Sequence, residues 1–229
     1  MIIVILPFYN EVGAIYSEIA KLSLVFHKAN KEYLFIAVDD GSTDASVDEL
    51  RELVNQGEVQ LVTHCKNMGL GQAMKSGIQK ALDLQKADII IIKDADMTQD
   101  AAVVKGMIEL IENSGCDLVI ASRFIPGAVQ IGVRRNRRII SSFGNCLFRR
   151  MINYPGVTDY TCNYRAYRVN FMLELKKIHG EGLISENNFA AAAELLLKAL
   201  ELRPMIYEIP LVLRYDKKIS KSKINIIRD

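Results

Sequence analysis

Ile89-Ile90-Ile91-Ile92-Lys93-Asp94-Ala95-Asp96 is the stretch on which the fold turns. Four isoleucines in a row suit a strand buried on both faces, and they run straight into two carboxylates one residue apart. In open α/β sheets ligands bind beyond the carboxyl ends of the strands, which is where this DxD pair would stand. Two acids so close repel one another unless a cation accompanies them. All-oxygen sites of this kind suit Mg²⁺ or Mn²⁺ shared between carboxylates and substrate phosphates. A lone DxD would equally fit two solvated acids in a loop, so the surrounding chain has to decide.

Outward from this point, apolar strands alternate with helix-length segments. Strands are expected at Ile2–Phe8, Tyr33–Asp39, Val59–His64, Asp88–Lys93 and Asp117–Ser122. Helices are expected at Ala14–Lys28, after the capping residues Ser42, Thr43 and Asp44, at Gly71–Leu84 and at Asp100–Asn113. This rhythm predicts an α/β chain with a Rossmann-like, doubly wound, mostly parallel sheet in a single domain. Each strand of this half ends in polar residues: Pro7, Tyr9, Asn10 and Glu11; then Asp39 to Asp44; then Asp94 and Asp96; then Ser122 and Arg123. Parallel strands share a carboxyl edge, so these residues converge. The edge is acidic, would repel a bare phosphate, and therefore implies a divalent cation.

From Arg123 the rhythm changes. Residues Ile125 to Arg138 read as a loop, followed by a helix over Ile139–Ile152, a short strand at Tyr164–Tyr167, a helix over Asn188–Glu201 and a strand over Met205–Tyr215. The expected organisation is one domain over 1–215, with halves 1–122 and 123–215, and a basic tail over 216–229. Nine arginines lie between Arg123 and Arg168, interleaved with Ile131, Val133, Ile139, Ile140, Phe143, Leu147 and Phe148. Such a mixture suits a surface helix lying on anionic lipid headgroups. No stacking-aromatic motif accompanies the arginines, so nucleic acid is not an expected partner.

Composition bounds the rest. A chain of 229 residues, 50% hydrophobic, can bury a full core, and a net charge of +2 points to no partner class. Cys65, Cys116, Cys146 and Cys162 have no CxxC pair and read as reduced thiols, not as a disulfide frame or zinc site. The apolar start breaks at Pro7 without a basic region, and no apolar run approaches ~20 residues. The expected location is cytoplasmic, or peripheral at the cytosolic face of a membrane. Gly69, Gly71 and Gly77 follow the third strand in a GxGx₅G spacing, which suits a tight turn into a closely packed helix and not a dinucleotide fingerprint. The acid pair Asp39-Asp40 with Asp94 and Lys93 is also found in phosphoacceptor receiver folds, but there the pair follows strand one and the chain is about half as long. His27, His64 and His179 fall outside every motif and read as surface or packing residues.

LPFYNE, VDDGSTD, KNMGLGQAMKSG and KDADMT, in this order, resemble the inverting family 2 glycosyltransferases of GT-A fold. ASRF, the basic stretch ending in RRII, DYTCNYRAYR, ELLLKAL and EIPLVLRY followed by Ser-Lys are similar to the dolichol-phosphate mannosyltransferase group of polyprenyl-phosphate glycosyltransferases. That resemblance implies metal-dependent, inverting transfer of a hexose, mannose foremost, from GDP-mannose or a UDP-hexose to a polyprenyl or dolichyl phosphate. It makes 1–122 the nucleotide-sugar half and 123–215 the acceptor half. It implies that Pro7, Tyr9 and Glu11 line the nucleotide site and that Val38 and Asp40 read base and ribose. Asp94, Ala95 and Asp96 would face the diphosphate and metal, with Asp96 the direct ligand and Thr98 a second metal-side position. Arg123 and Arg137 would face phosphates, as would Arg214 with a tail lysine, Lys223 in preference to Lys221. Cys162 stands where relatives carry glycine. Glu194 would orient an arginine or the sugar, or serve as base for a hydroxyl acceptor. A membrane-anchoring subunit is a further implied partner.

Overall fold

The computed structural model describes residues 1–219. Its elements, in chain order, are β1 (Ile2–Phe8), α1 (Ala14–Lys28), β2 (Tyr33–Asp39), α2 (Arg51–Asn55), β3 (Val59–Thr63), α3 (Leu70–Asp83), β4 (Ile89–Ile92), α4 (Val103–Ser114) and β5 (Leu118–Ser122). The second half adds β6 (Val129–Ile131), α5 (Arg135–Ile152), β7 (Arg165–Arg168), α6 (Val169–His179), α7 (Ala191–Glu201), β8 (Ile206–Pro210) and β9 (Val212–Arg214).

Seven strands form one sheet in the order β3-β2-β1-β4-β7-β5-β8. All pairs are parallel except those of β7, which runs antiparallel between β4 and β5. The second half thus completes the sheet of the first. Strand alternation divides the core into two layers. Ile89 and Ile91 face the α1 and α4 side, with Ile19, Leu22, Met107 and Ile108. Ile90 and Ile92 face α3, α6 and α7, with Met74, Ile78, Met172 and Leu195. Four consecutive isoleucines are needed because both faces are dry.

Several segments differ from expectation for identifiable reasons. Ser42, Thr43 and Asp44 do not cap a helix. Ser42 Oγ accepts the Asn10 N–H at 2.9 Å, Asn10 Oδ1 accepts the Thr43 N–H at 2.8 Å, and Asp44 Oδ1 accepts the Ser46 N–H at 3.0 Å. These bonds tie the loop after β2 to the end of β1, leaving only a short 3₁₀ turn, Asp48–Leu50, before α2. The stretch expected as a loop before residue 139 contains β6 and the first turn of α5. The expected long strand over Met205–Tyr215 is two strands, because Pro210 has no N–H to donate and Leu211 turns into the core. β8 pairs with β5, and β9 leaves the main sheet to pair with β6. Helix α6 follows β7 with no polar break between Arg168 and Val169, so the sequence offered no start signal for it.

Candidate active site

The carboxyl ends of β1, β2, β4 and β5 open into one cavity of about 1080 Å³. Pro7, Tyr9, Glu11, Asp40, Asp94, Ala95, Asp96, Thr98 and Arg123 line it. The resemblance had indicated these nine positions from four separate segments, and the sheet brings them together. Val38 does not line it: its side chain is buried in the α3 layer.

The acid pair is anchored on every oxygen. Asp94 accepts from Asn163 Nδ2 at 3.1 Å and from Gln99 Nε2 at 3.0 Å. Asp96 Oδ1 accepts from the Thr98 hydroxyl at 2.6 Å and its N–H at 3.1 Å, while Oδ2 meets the ammonium of Lys218. The left-handed backbone of Met97 turns Thr98 back onto Asp96. Burial raises the Asp94 carboxyl above its ordinary range, and the Asp96 charge adds to this. Burial also acts to raise Asp96, but Lys218 and Thr98 more than offset it and hold Asp96 below that range. The two acids are therefore driven in opposite directions, Asp96 becoming the more acidic of the pair.

A resident ammonium on Asp96 Oδ2 marks a position that suits a cation. Among the described residues no three His, Cys, Asp or Glu side chains gather into a metal cage. A divalent ion held by Asp96, with Asp94 behind it, would need phosphate or water oxygens to complete its shell, as Mg²⁺ sites commonly do. The donor set fits such an ion.

Asp40 is fixed by His64, whose Nδ1 lies 2.8 Å from Asp40 Oδ1 and whose Nε2 lies 2.9 Å from Ser76 Oγ. His64 is therefore not a surface or packing histidine. The N–H groups of Met68 and Gly69 also donate to Asp40, at 2.9 and 2.8 Å. This seats the glycine loop beneath the loop that precedes α7. A Cβ on Gly71 would stand 1.7 Å from the Glu186 carbonyl oxygen, so only glycine fits there.

The basic residues divide. Arg123 is clamped by the fully buried Asp159 through Nε and one terminal nitrogen, both at 2.7 Å, and its other terminal nitrogen reaches Ser141 at 3.3 Å. Burial opposes ionisation of Asp159, but Arg123 outweighs it and holds the carboxyl low. Glu208 in turn accepts from the Thr158 and Asp159 N–H groups at 2.6 and 2.9 Å. Arg214 does not line the cavity; it forms a bidentate pair with Asp216 at 2.9 and 2.7 Å. Arg137 belongs to α5, but its side chain is not among those described, and Lys223 lies outside the described residues. Among the described residues the cavity is also lined by Arg138 and Lys218, which sequence reasoning did not single out. Lys218 was legible only as part of a lysine-rich tail.

Cys162 is buried at the cavity wall, where burial pushes its thiol up to about 12. Glu194 does not line the cavity. It accepts the Ser185 and Glu186 N–H groups at 2.8 Å each and pairs with Lys198, bracing the loop before α7. One cavity wall is α5, through Arg138, Ile140, Ser141, Gly144 and Phe148. The outer face of that helix leaves Ile139, Phe143, Leu147 and Met151 exposed, Phe143 and Met151 by 72% and 74%. Among the described residues no helix is long and apolar enough to cross a membrane.

The family model described as glycosyl transferase family 2 matches residues 3–175. The chain is similar to an undecaprenyl-phosphate mannosyltransferase of Micrococcus luteus, 25% identical over 227 residues, covering 98% of this chain and 87% of that one. It is also similar to a polyprenol monophosphomannose synthase of Mycolicibacterium smegmatis, 26% identical over 231 residues, covering 97% and 80%. Among solved structures, glucosyl-3-phosphoglycerate synthase from Mycobacterium tuberculosis in complex with UDP superposes with a TM-score of 0.67 at 18% identity, over 99% of this chain and 74% of that one. The same synthase has been solved with Mg²⁺ and UDP. With its DxD on the carboxyl edge of a mixed, mostly parallel sheet and the family model spanning most of its length, the chain belongs to glycosyl transferase family 2 and has its GT-A fold.

Proposed function

We propose that the enzyme transfers a hexose, with inversion, from a nucleotide diphosphate sugar to a polyprenyl or dolichyl phosphate at a membrane surface. The observation that carries this reading is the cavity itself. It joins an anchored acid pair at the strand ends to a wall of α5 whose outer face is both basic and apolar. Relatives named for mannosyl transfer to polyprenyl phosphates favour mannose, with GDP-mannose or a UDP-hexose as donor.

When bound at Asp96, Mg²⁺ or Mn²⁺ would offset the charge that gathers on the leaving nucleoside diphosphate. The chain's own residues do the rest. Asp40, held by His64, and the edge residues Pro7, Tyr9 and Glu11 would seat the nucleoside. Arg138 on the α5 wall, with Arg137 and Lys223 as the resemblance implies, would hold the acceptor phosphate against the donor diphosphate. That phosphate is already anionic near pH 7 and needs no strong base. Glu194, the base offered for a saccharide hydroxyl, is committed to its loop, which favours the anionic acceptor over the hydroxyl one. Exposed Arg134, Arg135, Arg149 and Arg150 beside Ile139, Phe143, Leu147 and Met151 suit an anionic lipid surface, with or without an anchoring subunit. This reading locates the enzyme at the cytosolic face.

The test is a donor panel of GDP- and UDP-sugars with a short polyprenyl phosphate, reading lipid-linked sugar. One donor should give a β-linked product from an α-linked sugar nucleotide. No lipid product with any donor, alongside transfer to a free saccharide, would overturn the acceptor assignment.

A further inference from the structure

Lys218 is held in place as part of the site. Its ammonium lies against Asp96 Oδ2, with only 13% of the lysine side chain and 17% of the aspartate exposed. It is delivered by the strand β9, whose backbone is bonded to the segment directly after the DxD. The Arg214 N–H donates to the Thr98 carbonyl at 2.6 Å and the Asp100 N–H to the Val212 carbonyl at 3.2 Å. A single 3₁₀ turn, Tyr215–Lys217, then carries the chain into the cavity. The Arg214–Asp216 pair braces that turn, and Gly132 admits it: a Cβ there would stand 2.7 Å from the Asp216 nitrogen. The acid loop and the strap bearing its counter-ion are therefore one bonded unit.

This arrangement has a consequence for cation entry. All four carboxylate oxygens of Asp94 and Asp96 already have donors. A hydrated divalent ion arriving alone would have to displace an ammonium that is already paired, and would gain one or two carboxylates in exchange. Mg²⁺-type ions give up their water reluctantly for so few ligands. An ion arriving with a nucleoside diphosphate brings phosphate oxygens with it, and these give the displaced ammonium a new anionic partner. We propose that Lys218 is the resident counter-ion of Asp96 and makes the site take its divalent cation only together with the nucleoside diphosphate. The proposal rests on the metal-dependent reading above.

The experiment is Mn²⁺ binding to the full chain, followed by loss of the free-ion electron paramagnetic resonance signal, with Mn²⁺ alone and with added UDP or GDP. Wild type should bind Mn²⁺ at least tenfold more tightly with its nucleotide than without. Lys218→Met should bind Mn²⁺ alone at least tenfold more tightly than wild type, narrowing that gap, and Lys218→Gln should behave alike. Lys218→Arg should keep the wild-type pattern. Unchanged Mn²⁺-alone affinity in both neutral variants, with wild-type circular dichroism, would overturn the proposal while leaving the metal reading standing. Wild type that binds no Mn²⁺ even with nucleotide would remove the metal reading, and the proposal with it.

Discussion

Lys93, the residue before the DxD, forms a 2.7 Å ion pair with Glu18 of α1, and both side chains are buried, 0% and 1% exposed. The ammonium also lies over the Tyr164 ring, 5.2 Å from its centroid, and donates to the Asp94 carbonyl at 3.3 Å. Replacing Lys93 by Met leaves Glu18 as an uncompensated charge in a dry layer, a loss that costs about 3–5 kcal/mol in comparable pairs. At roughly 2–4 °C per kcal/mol for a domain of this size, Tm should fall by about 6–20 °C. The double variant Glu18→Leu/Lys93→Met removes both charges and keeps the volume, and should be neutral or more stable by about 1–4 kcal/mol. Urea unfolding followed by far-ultraviolet circular dichroism measures both, provided the slope m is unchanged. Activity adds a second readout, since the double variant should lose kcat/KM despite its intact stability, having lost the bond to the Asp94 carbonyl. A Lys93→Met protein as stable as the double variant would refute the reasoning, because the pair would then not behave as a desolvated one.

Four further outcomes are expected. Asp96→Ala should abolish turnover without changing the circular dichroism spectrum, and excess EDTA should do the same to wild type; undiminished turnover in EDTA would remove the metal assignment. Alanine at Arg137 or at Lys223 should lower kcat/KM at least tenfold, about 1.4 kcal/mol of transition-state stabilisation, and a full-rate Arg137→Ala enzyme would show that the basic stretch is merely solvated. Burial opposes the Asp159 charge but Arg123 lowers its carboxyl below the usual value of 3.8, so its stabilisation is full above that value. It is lost as pH falls through the depressed folded value, and Asp159→Asn should flatten the acid limb of a Tm-against-pH curve below about pH 4. The protein should pellet with anionic liposomes at low salt, release at high salt, and do so less when Arg134 and Arg135 are reversed to glutamate; failure to pellet would leave lipid delivery to a partner subunit.

The first half of the fold was legible because most of its strands are buried on both faces and so carry near-continuous apolar runs, the edge strand β3 excepted. β1, α1 and β2 fall on their expected residues, and the ends of the remaining strands of that half lie within one residue of expectation. The second half was less legible because its strands are short and its helices lack capping signals. Neither the absence of a break between β7 and α6 nor the exchange of sheets at Pro210 leaves a periodic trace. Of the apolar residues interleaved with the arginines, Ile131, Ile139, Ile140, Phe143 and Leu147 are exposed as expected of a surface segment, whereas Val133 and Phe148 pack against the core.

The site divides along the same physical line. Residues contributed by strand ends could be placed from order, since parallel strands share an edge, and seven of those so named line the cavity: Pro7, Tyr9, Glu11, Asp40, Asp94, Asp96 and Arg123. Ala95 and Thr98 were indicated by the resemblance. Residues that act through partners distant in the chain could not. His64 reaches Asp40 across 24 positions, Asp159 reaches Arg123 across 36, and Lys218 reaches Asp96 across 122. Charge type alone does not reveal such partners. Arg123 and Arg214 are among the arginines expected at phosphates, and each is bound bidentately by a carboxylate, Asp159 and Asp216. A guanidinium held in that way can shape a loop or tilt the field of the cavity, but it has fewer N–H groups left to offer a phosphate. Lys218 is paired as well, but with a difference: on the reading proposed above, its carboxylate partner, Asp96, is the one that a substrate-bound metal would claim.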